Sequence, residues 1–439
     1  MKLKVAKFGG SSLADARHFT MVKEIVLSDV GRKYVVPSAP GKRNEKDEKI
    51  TDMLLKCFSL AKEGYAIDRE YAKIQKRYEN IINELGLDID LSEEFKKIYN
   101  SMQMNASQDY VASRGEYLTA IILSEYLDFD FVPAESCICF NNDGVFLPEK
   151  TNQRVQEILK KHPYAIIPGF YGAVPDGRIK TFTRGGSDIT GAIVARAVMA
   201  DVYENWTDVS GIKMADPRYV DHPKTMKTVT YRELRDLSYM GATVLHEDTI
   251  FPVRKEGIPI HIRNTNFPAE NGSMIIGHRS AQSSEQTLGI AGKKGYVGIK
   301  IEKENMRSFP HLYCEICAIL GHYQITLSHI MYGVDSLSIV VQEDPFESNR
   351  ESVIDDICEA FEPDTIFVED KIALIAVVGS SICENRENVI SRICRQLKTH
   401  GIDLKLCDMG GSEISIFIGV EEKYFALTQQ LLYKEFENQ

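Results

Sequence analysis

Two glycine-containing turns carry the residue types that bind phosphate groups. In Lys7-Phe8-Gly9-Gly10-Ser11-Ser12, a strand-like run ends in a lysine, a glycine pair and two serines before a helical pattern begins. Glycine lets the backbone approach a ligand closely, a helix N-terminus offers N–H groups to anions, and lysine adds a positive charge. Ser12 and Asp15 have the spacing of a capping box. We predict a phosphate site here, although no G-x-x-x-x-G-K-[ST] loop occurs.

The second turn, Thr183-Arg184-Gly185-Gly186-Ser187-Asp188, also precedes a helical pattern. It repeats the glycines and offers Ser187 as a helix N-cap, while the guanidinium of Arg184 has the shape to hold a carboxylate. Two such turns in one region favour a ligand site over coincidence.

Two further segments carry polar residues whose role is open from the residue types alone. Thr207 and Asp208 follow the strand-like run that ends at Trp206, where they could hold a ribose hydroxyl or a base edge. An ordinary turn explains them equally well. Arg114 and Glu116 lie in a helical pattern, and a solvated surface pair is the default interpretation for such residues.

The elements that must position these turns alternate between strand and helix. Strands are predicted at Lys4–Phe8, Tyr34–Ser38, Phe129–Pro133, Ala165–Pro168, Val202–Trp206 and Pro259–Arg263, with helical patterns between them. This order predicts an α/β domain with a mostly parallel sheet covered by helices in an αβα sandwich. A polar helical stretch at about residues 65–105 is predicted to be an inserted helical hairpin.

The last third of the chain has a different order of predicted strands and helices. After a linker rich in Asn, Ser and Gly, a β-α-β-β-α-β order occurs twice with a period of about 70 residues, which predicts two ferredoxin-like units. The second repeat lacks its last strand, and Thr287–Ala291 is a spare strand that can supply it.

Composition limits the classes of protein that fit. The length of 439 residues predicts about three domains. The formal net charge of −11 shows that the chain lacks the excess of basic residues typical of nucleic-acid-binding proteins. The first residues lack the apolar stretch of a signal peptide, and no apolar run reaches the ~18 residues of a membrane helix. The odd number of cysteines, nine, predicts reduced thiols in a cytoplasm, with Cys314 and Cys317 as a buried core pair.

Taken together, these motifs resemble those of the aspartokinases. The resemblance rests on the Lys7–Ser12 turn, Arg114-Gly115-Glu116, the turn at Thr183–Asp188, the Thr207–Arg218 stretch and Gly241-Ala242-Thr243-Val244-Leu245-His246. They occur in the expected order along nearly the whole chain, and the two C-terminal repeats match the paired ACT domains of that family.

The resemblance implies a domain plan and an activity. It places an amino-acid kinase domain at 1–280, a first ACT domain at 297–370, and a second, discontinuous ACT domain at 286–292 plus 371–439. It implies transfer of the γ-phosphoryl group of ATP, with Mg²⁺, to the side-chain carboxylate of L-aspartate. This reaction opens lysine, threonine and methionine biosynthesis.

The resemblance also assigns roles to individual residues. Lys7 and Asp188 are the expected catalytic residues. The expected aspartate-binding residues are Ser11, Thr51, Glu116, Arg184 and Ser187, with Glu116 on the ammonium group and Arg184 on the α-carboxylate. The expected ATP-binding residues are Lys7, Gly9, Gly10, Thr207, Asp208, Lys213, Arg218 and Thr243. The metal ligands are not identified.

The chain departs from the family pattern at several positions. Thr243 stands where many members carry a lysine near the nucleotide. Either ATP is bound more weakly, or Lys213, in place of a more usual tyrosine, or Lys42 supplies the charge. Thr183 stands where glycine is usual. A charged stretch, Lys42–Lys49, lengthens the loop before Thr51, and a solvated loop is favoured over a mobile lid.

Regulation and assembly follow from the ACT repeats. The resemblance implies an amino-acid effector, lysine or threonine or both, and a homodimer or tetramer formed through the ACT domains, with no nucleic acid and no membrane as partners. The candidate effector-binding residues are Met306, Ser308, Ile325 and Ser328, and Ser328 stands where some lysine-inhibited members carry an acidic residue.

Two alternatives remain open. Another amino-acid kinase, such as an acetylglutamate, glutamate or carbamate kinase, shares the glycine turns but not the Lys7–Ser12 signature or the paired ACT repeats. A non-catalytic amino-acid sensor with a degraded kinase domain is supported only by the absence of lysine at Thr243.

Overall fold

The computed structural model describes residues 2–183, 185–242, 245, 247–279, 288–306, 311–409 and 411–438. The chain forms two compact units. The first consists of Met1–Ile212, Thr225–Arg232 and Thr243–Ala281, and the second of Lys213–Lys224, Glu233–Ala242 and Gln282–Gln439. The division into one kinase domain and two ACT domains, with the boundaries given above, stays a prediction.

Up to residue 276 the chain alternates strands and helices, with two helices, Asp68–Leu85 and Ser92–Gln103, inserted as predicted. The strands are β1 (Lys4–Phe8), β2 (Arg32–Pro37), β3 (Asp130–Phe131), β4 (Ala165–Ile166), β5 (Tyr171–Ala173), β6 (Ile179–Thr181), β7 (Val202–Thr207), β8 (Thr228–Thr230), β9 (Ile260–Asn264) and β10 (Ser273–Ile276). The helices are α1 (Ala16–Leu27), α2 (Ile50–Lys62), α3 (Asp68–Leu85), α4 (Ser92–Gln103), α5 (Gln108–Leu127), α6 (Ala134–Cys137), α7 (Pro148–Leu159), α8 (Gly186–Ala197), α9 (Tyr231–Tyr239) and α10 (Glu247–Lys255).

The first unit is built on an eight-stranded sheet in the order β3-β4-β2-β1-β7-β9-β10-β8. Its strands pair in parallel except β9 with β10, so the predicted mostly parallel α/β sheet is confirmed. The central strands are buried because helices cover them; α8 packs on β1, β2 and β7, and α5 packs on β2, β3 and β4. The inserted helices α3 and α4 bury their apolar faces in the same core as Phe8 and Trp206.

The predicted helix starts at the two glycine turns are wrong by a few residues. Asp15, not Ser12, caps α1, because its side chain accepts the N–H of His18, while residues Gly10–Leu13 form a short 3₁₀ turn. At the second turn α8 is preceded by Gly185 as N-cap, in the left-handed region at φ 55°, so Ser187 lies inside the first helical turn. Capping residues identify the neighbourhood of a helix start, but the tertiary contacts of the turn decide which of them caps.

The second unit is built on an antiparallel six-stranded sheet in the order β12-β13-β11-β14-β16-β15. Its strands are β11 (Gly289–Glu302), β12 (Leu327–Tyr332), β13 (Ser336–Gln342), β14 (Thr365–Val378), β15 (Leu406–Asp408) and β16 (Ser415–Glu421). Its helices are α11 (Leu312–His322), α12 (Glu343–Glu347), α13 (Arg350–Phe361), α14 (Ile382–Thr399) and α15 (Phe425–Phe436). This is the ACT-like, ferredoxin-type arrangement that the repeats predicted.

Two long strands run through both repeats, where the sequence predicted separate short ones. β11 pairs with β14 from Gly289 opposite Val378 to Glu302 opposite Thr365, across a shift in register between Lys293 and Tyr296. The linking residues are polar and glycine-rich, so the apolar alternation breaks there although the backbone pairing resumes beyond the bulge. The spare strand is the start of β11; its predicted first residue, Thr287, lies outside the described residues.

The predicted burial of Cys314 and Cys317 is wrong. Helix α11 buries Leu312, Ile316 and Leu320, which recur every four residues on one face. The two cysteines therefore point away from that face and are exposed.

A buried ion pair joins the strands at the centre of the first unit. Glu204 on β7 is fully buried, and its carboxylate lies 2.6 Å from Nε of Arg32 and 3.1 Å from Nζ of Lys4. The indole N–H of Trp206 donates to the same carboxylate at 2.9 Å. Burial alone would raise the pKa of Glu204, but these donors outweigh burial and hold the pKa below its usual value.

Removing this carboxylate should destabilise the first unit strongly. Glu204→Ala leaves the buried Arg32 guanidinium without its partner, and we expect the free energy of unfolding to fall by about 3–5 kcal/mol. Trp206 is the single tryptophan of the chain and lies in this sheet, so its fluorescence in a urea titration follows the unfolding of this unit.

The matched control is Lys97→Ala, which removes an ion pair to Glu94 whose lysine is 64% exposed and should leave the urea midpoint essentially unchanged. In the wild type the contribution of Glu204 is present above its unfolded-state pKa and is lost as the pH falls through the lowered folded-state pKa. Equal midpoints for Glu204→Ala and Lys97→Ala would contradict the assignment.

Candidate functional site: a phosphate and amino-acid pocket

Lys7 is held in place at the carboxyl end of the central parallel strands. Its side chain is 8% exposed, and its Nζ lies 2.6 Å from Oδ1 of Asp188 in the first turn of α8. Asn205, opposite Lys7 on the neighbouring strand β7, donates its Nδ2 to the same oxygen at 2.7 Å. Lys7 and Asp188, both predicted catalytic residues, are therefore brought together, and the carboxylate and the amide fix the direction of the ammonium group.

The first glycine turn lies directly against the loop that follows β2. Gly41 N donates to Gly10 O at 2.7 Å, and a Cβ on Gly41 would lie 2.6 Å from the carbonyl carbon of Gly10. A Cβ on Gly10 would lie 2.9 Å from the carbonyl oxygen of Ala39. The two backbones touch because neither glycine has a side chain, which leaves the backbone of Gly9, Gly10 and Ser11 as the floor of the predicted phosphate site.

Hydrogen bonds anchor the ends of this turn. Gly9 N donates to Trp206 O at 2.9 Å, which ties the turn to the end of β7. Ser12 is buried, and its hydroxyl lies 2.7 Å from the hydroxyl of Thr265. Ser12 is thus a structural anchor, whereas Ser11 stays partly exposed.

The Arg-Gly-Glu motif of α5 faces the same loop. A Cβ on Gly115 would lie 2.7 Å from Cβ of Ala39, so this position admits only glycine if the helix is to pack on the loop. Glu116 is buried and takes a hydrogen bond from the backbone of Ala39. The motif therefore places a carboxylate beside the loop that carries Gly41, and the default interpretation of Arg114 and Glu116 as a solvated pair is wrong.

Arg114 is packed rather than solvated. Its guanidinium carbon lies 4.5 Å, 4.6 Å and 5.2 Å from the ring centroids of Tyr110, Tyr117 and Tyr171. Such cation–π contacts stabilise a buried guanidinium. The residue thus fixes α5 in position beside the site.

Glu116 carries an incomplete set of hydrogen bonds. Its Oε2 is buried and has no partner in the structure, and burial raises the pKa of its carboxyl group to about 8. A buried acceptor without a donor is costly unless a ligand supplies the donor. A cationic group such as an ammonium fits this requirement.

The second turn packs closely on Gly169 and Phe170, which lie between β4 and β5. Phe170 adopts φ 81°, a strained value for a residue with a side chain, and its N–H donates to Thr190 of α8 at 3.1 Å. A Cβ on Gly169 would lie 2.5 Å from Oγ of Ser187, so the serine side chain lies directly over that glycine. Arg184, the predicted carboxylate-binding residue of this turn, lies outside the described residues.

The remaining predicted substrate- and nucleotide-binding residues are distributed between the units. Thr51 lies in the first turn of α2, and Thr207 and Asp208 end β7, with their side chains 3.1 Å apart. Lys213 and Arg218 belong to the second unit, where Arg218 is bound to Asp216 in an exposed ion pair. Thr243 lies outside the described residues.

The predicted effector residues lie in the first ferredoxin-like repeat. Met306 and Ile325 are buried in its apolar core, and Ser328 is half-buried on β12. Ser308 lies outside the described residues.

The described residues contain no group of three or more His, Cys, Asp or Glu side chains that could hold a metal ion. Mg²⁺ needs no such group when phosphate oxygens and waters complete its shell around one or two carboxylates. Asp188, with a side chain 21% exposed, is a donor of this kind beside Lys7.

Sequence reasoning missed Asn205. It is 2% exposed on the buried strand β7, and a polar side chain on a strand predicted to be central in the sheet is the signal that could have identified it. A buried ammonium group, a glycine turn and a buried carboxylate with an unpartnered oxygen thus lie around the loops that follow β1 and β2, and these are residue types that bind a phosphoryl group and an amino group.

Comparison with known proteins shows the family to which the chain belongs. The model of the amino acid kinase family matches residues 2–264. Aspartokinase 3 of Bacillus subtilis (strain 168) is 34% identical over an alignment of 451 residues, which covers 99% of this chain and 98% of that protein. The crystal structure of Clostridium acetobutylicum aspartate kinase is 42% identical, with a TM-score of 0.92 and coverage of 99% of this chain and 100% of that chain.

Escherichia coli aspartokinase III has the same fold in two solved states, each covering 99% of this chain and 100% of that chain. The complex with aspartate and ADP has a TM-score of 0.72 at 22% identity, and the complex with lysine and aspartate a TM-score of 0.73 at 21% identity. Because both the family model and a relative that is 34% identical over almost its whole length match, this chain belongs to the amino acid kinase family, as an aspartokinase.

Proposed function

We propose that the protein is an aspartate kinase that transfers the γ-phosphoryl group of ATP to the side-chain carboxylate of L-aspartate. The observation that carries this proposal is the buried Lys7 ammonium, fixed by Asp188 and Asn205 above the Gly9–Gly10 turn. The aspartate and ADP bound to the Escherichia coli relative support the same pair of ligands here.

The reaction requires positioning more than bond activation. A carboxylate oxygen of aspartate attacks the γ-phosphorus, the bond to the β,γ-bridging oxygen breaks, and its electron pair leaves with ADP. The attacking carboxylate is already ionised at neutral pH, so no general base is needed. The chain must instead align the two anions and neutralise the charge that develops between them.

Lys7 supplies that neutralisation. An ammonium group has three donors, and the contact with Asp188 uses one of them, so the others remain for phosphate oxygens. Because its side chain is almost fully buried, its charge acts at short range in a poorly solvated site, where it is worth more than in water. Gly9 and Gly10 allow the phosphates to approach the backbone.

Glu116 selects the amino acid. The ammonium group of aspartate provides the donor that Oε2 of Glu116 lacks. Arg184 binds the α-carboxylate in this proposal, with Thr51, Ser11 and Ser187 lining the same pocket.

Mg²⁺ would be held by Asp188 together with phosphate oxygens, and bound there it would offset the phosphate charge. The nucleotide would extend towards Thr207 and Asp208 at the end of β7, while nucleotide binding by Lys213, Arg218 and Thr243 rests on the family resemblance alone. These assignments are part of the proposal.

The ferredoxin-like unit supports regulation. We propose that lysine, threonine or both bind at Met306, Ser308, Ile325 and Ser328 and inhibit the kinase, in a homodimer or tetramer formed through the ACT domains. The lysine bound to the Escherichia coli relative supports this part. No helix within the described ranges is long and apolar enough to cross a membrane. The nine free cysteines support a reducing compartment, which we propose is the cytoplasm.

Removing the Lys7 ammonium should abolish catalysis without unfolding the protein. We expect Lys7→Ala to lower kcat by about 10²–10³-fold or more, because a charge aimed at the transferred phosphoryl group is lost. Aspartyl phosphate trapped as the hydroxamate measures the rate, and far-ultraviolet circular dichroism checks the fold. Lys62→Ala, at an exposed position at the end of α2, is the matched control and should keep wild-type turnover. Retained turnover in Lys7→Ala would refute the role of Lys7.

Aspartate binding should depend on pH through Glu116. The pKa of Glu116 is raised to about 8, so at neutral pH most free enzyme carries a neutral carboxyl group that must lose its proton to pair with an ammonium. The apparent KM for aspartate should therefore fall by up to about tenfold for each pH unit as the pH rises towards that pKa.

Glu116→Gln keeps the size of the side chain but cannot titrate. Its KM for aspartate should be high at every pH and flat across the range in which the wild-type value falls. A wild-type KM that does not change between pH 6 and the pKa of about 8 would remove Glu116 from the ammonium site.

The effector is identified by titrating the hydroxamate assay with lysine and threonine, singly and together. Inhibition by at least one of them is expected, and Ser328→Ala should shift the inhibition curve without changing uninhibited kcat. A protein that stays fully active with both amino acids at millimolar concentration would contradict the regulatory part of the proposal while leaving the kinase part intact.

A further inference from the structure

One buried arginine connects the segment that follows the glycine turn with two points of the loop between β2 and α2. Arg77 lies on the inserted helix α3 and is 5% exposed. Its Nη2 donates to the carbonyl oxygens of Ala14, at 2.9 Å, and Gly41, at 2.6 Å. Its Nη1 donates to Oδ2 of Asp47 at 2.7 Å.

Two of these acceptors, the carbonyl oxygens of Ala14 and Gly41, lie beside the predicted phosphate-binding turn. Ala14 follows the 3₁₀ turn Gly10–Leu13, and Gly41 donates its N–H to the carbonyl oxygen of Gly10 at 2.7 Å. The guanidinium thus holds both sides of the contact between Gly10 and Gly41. A shift of Arg77 would move the backbone that faces the phosphates.

The third acceptor anchors the charged loop Lys42–Lys49. Asp47 also accepts hydrogen bonds from Nε of Arg43 at 2.8 Å and from the backbone N–H of Arg43 at 2.9 Å. These bonds to Arg43, together with the charge of Arg77, hold the pKa of Asp47 far below its usual value, so it stays ionised. The loop is solvated on its outer side, and the carboxylate of Asp47 fastens it to α3.

Keeping a guanidinium at this position is costly. Burial, followed by the nearby charge of Arg43, lowers the pKa of Arg77, and its Nε is buried without a hydrogen-bond partner. Other buried positions of α3 carry Ile74, Tyr78, Ile81 and Ile82, which pack at no such cost. An apolar residue would serve packing alone, so the cation at this position requires another explanation.

We propose that Arg77 is a positioning residue for phosphoryl transfer: it holds the Gly10–Gly41 contact so that the backbone of the glycine turn meets the phosphates in productive geometry. The inference rests on the proposed kinase function. The inserted helical hairpin would then support the active site through α3, in addition to contributing apolar residues to the core.

Lysine cannot reproduce this role. The planar guanidinium presents donors in a fixed fork that reaches two carbonyl oxygens and a carboxylate at once, whereas an ammonium is a compact charge on a flexible stem. Arg77→Lys therefore keeps the charge and much of the bulk, and removes the simultaneous contacts.

The test compares Arg77→Lys with the wild type in the full-length protein. We expect kcat/KM for ATP to fall by about 10–100-fold, as for a misplacement of about 1 Å at a reacting centre. KM for aspartate should change less, because Glu116 is held by Ala39 and not by Arg77. Hydrogen exchange, followed by mass spectrometry on peptides containing Gly41, should show faster exchange, since the Gly41 N–H is bonded to Gly10 O.

Two variants act as matched controls. Lys76→Met changes the neighbouring residue on the same helix, which also lines the cavity of about 430 Å³ next to the charged loop, and should leave both readouts unchanged. Asp47→Asn weakens the hold on the charged loop but leaves the bonds to Ala14 and Gly41, so its loss of kcat/KM should be smaller than that of Arg77→Lys.

The outcomes distinguish the positioning role of Arg77 from the proposed kinase function. Faster exchange at Gly41 in Arg77→Lys with wild-type kinetics would overturn the positioning role, and so would unchanged exchange and unchanged kinetics together. An equal loss in Asp47→Asn would move the role from the glycine turn to the charged loop. A wild-type protein without aspartate kinase activity would reject the proposed function, while the exchange comparison would still report whether Arg77 holds the turn.

Discussion

The candidate site depends on one close backbone contact, where the N–H of Gly41 meets the carbonyl oxygen of Gly10 at 2.7 Å. That approach is possible only without side chains at both positions, and it brings the turn after β1 and the loop after β2 to one place. Helix α5 then packs on the same loop through Gly115 and adds the carboxylate of Glu116. The backbone that we propose binds phosphate and the carboxylate that we propose binds the amino group therefore contact two residues of one loop, Gly41 and Ala39.

Around this contact the first unit buries several charged side chains that stability of the core does not require. Arg32 with Glu204, Arg77 with Asp47, Arg114 among three tyrosines and the incompletely bonded Glu116 are all largely removed from water. Buried ion pairs seldom add net stability over apolar packing, so their value is in fixing geometry. Here they join β2 to β7, hold the two segments beside the glycine turn and fix helix α5.

The sequence predicted much of this arrangement, and its errors have physical causes. Alternating strands and helices predicted the parallel sheet, and the glycine pair after Lys7 predicted the turn, because both follow from local patterns. Ser12 and Ser187 were misassigned as caps, since distant residues such as Thr265 and Gly169 decide where their hydroxyls lie. Asn205 and Arg77 escaped notice because their partners are far away in the chain, and only the folded structure shows which buried polar residue meets which loop. The continuity of β11 and β14 was hidden by a polar bulge that interrupts the pattern and not the pairing.

Because β11 and β14 each run through both ferredoxin-like repeats, the two repeats form a single structural and evolutionary unit. A gene that encoded only one repeat would end each long strand halfway and leave open strand edges, which invite aggregation. The repeats are therefore expected to be gained, lost and folded together. A ligand that bends or twists the paired strands in one repeat must also change the sheet of the other, because the same two strands, β11 and β14, belong to both.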